Sequence, residues 1–183
     1  MASVTRLTID DFERLPQEQA KNHELVDGEL VDVSGNTPEH NFLRDLIIAQ
    51  LLIFVREHHL GRVIGEQEYD FDGNAYGPDV SFFGRMKYQL LDPQKRVQRF
   101  VPDLAVEVVS LNDSFRALLR KKDRYRKCGT AEVWIISPEP REVYVYSDRG
   151  DRILREDAEL SSELLPGFRL PVRSLFETLD ANT

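Results

Sequence analysis

Two apolar runs bracket one strongly basic segment, and this arrangement limits the possible folds more than any other feature of the chain. Residues 101–110 (VPDLAVEVVS) and 131–137 (AEVWIIS) are short, rich in Val, Ile and Ala, and read as buried strands. Between them Asn112 or Asp113 can cap a helix that runs to about Cys128, and Gly129 stops it. One helix between two buried strands, after a helix-rich start and before a hairpin, implies an α/β sandwich around a mixed β-sheet. At 183 residues the chain is the size of one domain, spanning 1–183. It is long enough to bury roughly 70% of its unfolded surface without disulfides or a structural metal.

The remaining elements follow from local signals. Thr8 and Asp11 have capping-box spacing for a short helix ending at Pro16. His23–Val33 alternates around Asp27-Gly28, a hairpin signature. Thr37-Pro38 opens a long helix in which Phe42, Leu43, Leu46, Ile47, Leu51 and Phe54 recur at helical spacing until Gly61. Residues 62–71 read as a strand, Asp72-Gly73 as a turn and 78–83 as a second strand. Residues 84–99 read as a loop or short helix carrying Arg85, Lys87, Lys95, Arg96 and Arg99. Residues 142–147 and 152–156 form a hairpin, and a short helix near 172–179 closes the chain.

Composition excludes several classes of function. Cys128 is the only cysteine, so an intramolecular disulfide and a multi-cysteine zinc site are both ruled out. No apolar run approaches the ~18 residues of a membrane span. Met1–Asp11 lacks the apolar stretch of a signal peptide. A cytoplasmic, reducing compartment with no membrane partner is therefore expected. The chain has no GxxxxGK[ST] loop and no GxSxG elbow, and its four histidines all fall before residue 60, which argues against ATP hydrolysis and a Ser-His-Asp hydrolase. The net charge of −8 argues against non-specific coating of nucleic acid. The distribution is uneven, however. Residues 81–130 hold 12 of the 24 Lys and Arg side chains and only 5 of the 32 acids. That segment is either a solvated helix face or a surface that focuses a polyanion.

Three carboxylates interrupt apolar patterns. Side chains alternate across a strand, so Asp103, Ala105, Glu107 and Val109 share one face of 102–110, and Leu104, Val106 and Val108 share the other. Glu107 thus lies inside a buried strand, where a carboxylate is costly unless paired, hydrogen-bonded or metal-bound. It is either half of a core salt bridge to an arginine or a metal-binding or acid–base group. Asp79 at the head of 78–83 is either a turn residue or a second such group, and Glu24 in His23-Glu24-Leu25-Val26 is either a hairpin-edge residue or a third. Together the three make an oxygen-rich set suited to Mg²⁺ or Mn²⁺. In the basic helix, Lys121 sits on the apolar stripe of Ala117, Leu118, Tyr125 and Cys128. It either snorkels outward or points toward the strand of Glu107, where a cation beside a phosphate balances developing charge.

The segments HELVDGEL (23–30), TPEHN (37–41), PDVSFF (78–83), PDLAVEVVS (102–110), KKDRY (121–125) and AEVWIISP (131–138) occur in an order that resembles the bacterial family described as "putative restriction endonuclease", a branch of the PD-(D/E)xK nuclease-like superfamily. The resemblance implies a restriction-endonuclease-like core with a mixed sheet flanked by helices. It also implies a Mg²⁺- or Mn²⁺-dependent endonuclease that hydrolyses DNA phosphodiesters with metal-activated water. By this likeness Asp79 and Glu107 are metal ligands, Glu24 is an additional or water-mediated ligand, and Lys121 serves the water or the phosphate. The superfamily's usual lysine position, two after Glu107, holds Val109. Lys121 instead matches a lysine relocated to the following helix. Tyr125 and His40 match motif positions with no assigned role. Departures are Leu111-Asn112 for the usual Pro-Ser, Ala117 where an Asp often precedes the lysine, and Ser137 for an Asp. Arg116, Arg120, Lys122, Arg124 and Lys127 are the expected phosphate contacts, for weak, salt-dependent DNA binding by a homodimer. The alternative is a catalytically inactive nuclease-fold protein that binds nucleic acid or another partner.

Overall fold

The computed structural model of the protein describes residues 6–33, 36–110 and 114–180. The elements in chain order are α1 (Ile9–Arg14), α2 (Gln17–Ala20), β1 (His23–Val26), β2 (Glu29–Asp32), α3 (Pro38–Glu57), β3 (Gly61–Gly65), β4 (Glu68–Asp70), β5 (Ala75–Tyr76), β6 (Val80–Gly84), a 3₁₀ turn (Arg85–Leu90), β7 (Val97–Gln98), β8 (Leu104–Val108), α4 (Phe115–Lys127), β9 (Glu132–Ser137), β10 (Glu142–Ser147), β11 (Arg152–Leu154), β12 (Glu159–Leu160), β13 (Leu170–Pro171) and α5 (Val172–Asp180).

A six-stranded sheet, in the order β11-β10-β9-β8-β6-β3, forms the centre. The two apolar runs, β8 and β9, lie side by side and parallel, and the other pairings are antiparallel. Helix α4 is the crossover that a parallel pair requires. Alternation then divides the residues of β8 between two cores. Leu104, Val106 and Val108 join Trp134 and Ile136 against α3 and α5. Ala105 faces the opposite way, into an aromatic cluster of Tyr69, Phe71, Tyr76, Phe83, Phe100 and Tyr125. A second, five-stranded sheet, β2-β1-β5-β4-β7, covers that side together with α4. Helix α1 closes the far end through Ile9 and Phe12.

Local chemistry accounts for most element ends. The Thr8–Asp11 capping box forms in both directions. Thr37 caps α3 by accepting from the His40 N–H at 3.2 Å, with Pro38 in the first turn. Leu43, Ile47, Leu51 and Val55 make the buried stripe of α3, and His40 begins that stripe. The strand expected over 62–71 is in fact two. Glu66 takes a positive φ of 52°, and the chain passes from the edge of one sheet (β3) into the other (β4). The Asn112/Asp113 cap lies outside the described residues, and Ser114 occupies the N-cap position of α4 without a side-chain cap bond. Gly129, at φ 102°, ends that helix as a left-handed stop. Among the described residues no helix is long and apolar enough to cross a membrane.

Candidate active site

The two strands that carry the acids are neighbours in the central sheet. β6 pairs antiparallel with β8 in the register Val80↔Val106, and one step beyond that pair sets Asp79 opposite Glu107. Opposed residues share a face, with Cβ atoms ~5 Å apart. Glu24 comes from β1 of the second sheet and Lys121 from the middle of α4. All four line one cleft of about 1230 Å³ between the sheets and α4.

Lys121 points inward. Its Nζ donates to Glu24 Oε1 at 2.8 Å and lies 3.8 Å from Glu107 Oε2. Of the two roles open to Glu107, the core salt bridge to an arginine does not form among the described residues; the cation nearest its carboxylate is Lys121. The Tyr125 hydroxyl, one turn along α4, donates to Glu107 Oε1 at 2.6 Å. Asp79 is held from two sides: Val108 N–H donates to Oδ2 at 2.7 Å, and His40 Nε2 lies 3.1 Å from Oδ1. Glu24 also accepts the Gly77 N–H at 3.2 Å.

These contacts shift the ionisation of the cluster. Burial pushes the Glu107 carboxyl up to about 8; Asp79 and Glu24 add to the rise, against the opposing pull of Lys121 and the Tyr125 hydroxyl. For Lys121 burial works the other way, but the Glu107 and Glu24 carboxylates outweigh it and hold the ammonium above its ordinary value. His40 shows the same contest: burial lowers it, but the hydrogen bond and charge of Asp79, with help from Asn41, leave it above its ordinary value. Burial and the neighbouring carboxylates place the Tyr125 phenol well above its usual range, so it stays a donor.

Among the described residues no three His, Cys, Asp or Glu side chains already form an ion site. The chemistry of the donors nevertheless suits a hard divalent cation. Three carboxylates, Glu24, Asp79 and Glu107, share the cleft with the one ammonium of Lys121.

The expected phosphate contacts divide into two groups. Arg120, Arg124 and Lys127 line the cleft. Arg116 is exposed away from it, and the Lys122 ammonium lies 4.6 Å from the centre of the Tyr146 ring. His40 and Tyr125, which match family motif positions with no assigned role, prove to hold Asp79 and Glu107; His40 also had a local signal, a polar residue at the head of an apolar helix stripe. The Tyr125–Glu107 bond had none, because it depends on how α4 sits on β8.

Residues 9–173 match the Uma2 family, described as "Putative restriction endonuclease". The chain belongs to the Uma2 family. The fold agrees with that of a solved structure, "a putative nuclease belonging to DUF820" from Anabaena variabilis ATCC 29413. That structure is 21% identical to this chain, with a TM-score of 0.83 over 94% of this chain and 99% of the other. No curated protein matches the chain. The segments at 23–30, 78–83, 102–110 and 121–125 all contribute side chains to the one cleft.

Proposed function

We propose that this Uma2-family protein is a nuclease that hydrolyses DNA phosphodiesters with Mg²⁺ or Mn²⁺. The observation that carries the reading is the convergence of Glu24, Asp79, Glu107 and Lys121, from four separate segments of the chain, on one cleft. Four charged groups brought together with little exposure are a poor way to stabilise a fold, since each must be desolvated. They are a good way to bind a cation and an anion side by side.

Asp79 and Glu107 are the residues that would hold the metal, with Glu24 near enough to support it directly or through water. When bound, such a cation supplies Lewis acidity to a phosphoryl oxygen and to water. The chain's own groups do the rest. His40 and the Val108 N–H fix the Asp79 carboxylate, and Tyr125 fixes that of Glu107. Lys121, held protonated, offers its charge to the phosphate as negative charge develops. Arg120, Arg124 and Lys127 contact the flanking phosphates. A homodimer would present one cleft to each strand of a duplex.

Cleavage of a supercoiled plasmid tests the reading. Nicking is expected with Mg²⁺ or Mn²⁺ and not with EDTA, and Asp79→Asn or Glu107→Gln should abolish it. If the wild type cuts no DNA or RNA with either ion, the catalytic reading is wrong and an inactive nuclease-fold binding protein remains. Sedimentation of the intact protein tests the dimer.

A further inference from the structure

Arg120, Arg124 and Lys127 follow one another at i, i+4 and i+7 along the side of α4 that lines the cleft, and Arg124 lies one turn beyond Lys121. Two of these three cations are already engaged by acids from turns of the five-stranded sheet, Asp27 within the cleft and Asp72 outside its lining. Arg124 lies 3.3 Å from Asp27 Oδ1 and 3.7 Å from Asp72 Oδ2, and Lys127 lies 3.9 Å from that same Asp72 oxygen. Both aspartates belong to the five-stranded sheet. Asp27 is in the β1–β2 turn and Asp72 in the β4–β5 turn, and both are mostly exposed, at 68% and 65% of their side chains.

The two turns are built alike. Each is an Asp-Gly pair with both residues at positive φ: 49° and 84° at Asp27-Gly28, 59° and 81° at Asp72-Gly73. Asn satisfies that backbone at least as well as Asp, because it tolerates the left-handed region and carries no charge. Turn geometry therefore does not explain why both positions carry a carboxylate. What distinguishes Asp from Asn here is the charge, and both charges are directed at the cations of α4.

We infer that Asp27 and Asp72 are internal counter-ions that occupy the phosphate-binding side chains Arg124 and Lys127 until a nucleic-acid backbone displaces them. The inference rests on the nuclease reading for its substrate class. Exposed ion pairs of this length are weak and screened by salt. A phosphodiester, which satisfies the guanidinium fork with two oxygens, competes well against them. The consequence is selectivity. A strand must offer phosphates to Arg124 and Lys127 together in order to release both turns. Loose anions and short fragments gain little, and the acidic protein is spared indiscriminate adhesion to nucleic acid.

The test compares the double variant Asp27→Asn/Asp72→Asn with the intact protein, using a random-sequence duplex oligonucleotide in EDTA over a range of salt. A control pair, Asp157→Asn/Glu177→Gln, makes the same change in net charge at exposed positions outside the cleft. The Asn pair should bind roughly three- to ten-fold more tightly than wild type at low salt, with a steeper dependence on salt, because the ion pairs that wild type must break cost most where they are least screened. The control pair should gain less and keep the wild-type slope. Arg124→Gln added to the Asn pair should erase most of the gain.

The proposal is overturned if the Asn pair gains no more than the control, or if none of the proteins binds the duplex. It is also overturned if the Asn pair melts several degrees lower without a gain, because the ion pairs would then be structural staples. Mg²⁺-dependent nicking is measured on the same proteins and separates the two ideas. A wild type that cuts, with no gain for the Asn pair, removes the counter-ions and leaves the nuclease. A gain with no cutting by any protein leaves a gated nucleic-acid surface and removes the nuclease.

Discussion

Glu107→Gln, made in the metal-free protein, separates two descriptions of the buried cluster. In the folded protein the Glu107 carboxyl is pushed from its ordinary 4.5 up to about 8. Between those values the folded chain holds a proton that the unfolded chain has lost. Unfolding then releases a proton, and wild-type stability falls as pH rises through that window. At about 1.36 kcal/mol per pKa unit, the loss from this one group between about pH 5 and pH 8 is about 3 kcal/mol. Gln does not titrate, keeps nearly the same shape and can still accept from Tyr125. The unfolding free energy of the variant, minus that of wild type, should therefore grow by about 3 kcal/mol over the same range. Urea denaturation in EDTA, followed by the fluorescence of the fully buried Trp134, reads the difference directly. A gap that stays flat with pH refutes the reasoning. A variant less stable by about 3–5 kcal/mol at every pH refutes it more strongly, since Glu107 would then be the ionised half of a buried pair with Lys121.

The other expectations concern the neighbours of Glu107. Lys121→Met leaves the buried Glu24 carboxylate without the ammonium it bonds at 2.8 Å and should cost about 3 kcal/mol of metal-free stability at neutral pH; DNA cleavage should slow while Mg²⁺ affinity, read by calorimetry, holds or rises. His40, paired with Asp79, should titrate above 6.5 by NMR of its ring. Its contribution to stability is then full below about pH 6.5 and lost as pH climbs through the raised value, and Asp79→Asn should return the ring toward 6.5 or below. Replacing Arg120, Arg124 and Lys127 by Gln should weaken duplex binding far more than replacing Arg116 and Lys122, and equal losses in a salt-titrated binding assay would remove the cleft as the binding surface.

Much of this architecture was legible in residue order because the signals are local. Capping by Thr8 and Thr37, the Asp27-Gly28 hairpin, the Gly129 stop and the two apolar strands each arise within a few residues. The unusual residues were legible too, since a carboxylate or an ammonium at an apolar position stands out wherever it finally lies. Glu107 and Lys121 stand out in this way whatever partners they meet. The split of residues 62–71 between two sheets was not legible, because β3 and β4 read as one continuous strand and only packing against different neighbours parts them.

The pairings belong to the tertiary structure. That Lys121 bonds Glu24 across 97 residues, that Tyr125 rather than an arginine holds Glu107, and that His40 steadies Asp79 follow from the register of β6 on β8 and the seating of α4 and α3 on the sheet. The same seating sorts the basic residues of α4, placing Arg120, Arg124 and Lys127 on the cleft and Lys122 against Tyr146. Sequence determines which residues pay a desolvation cost when buried. Which groups meet that cost is decided only when distant segments share one low-dielectric space, because electrostatic and hydrogen-bond energies depend on separations of a few ångströms that no spacing along the chain encodes.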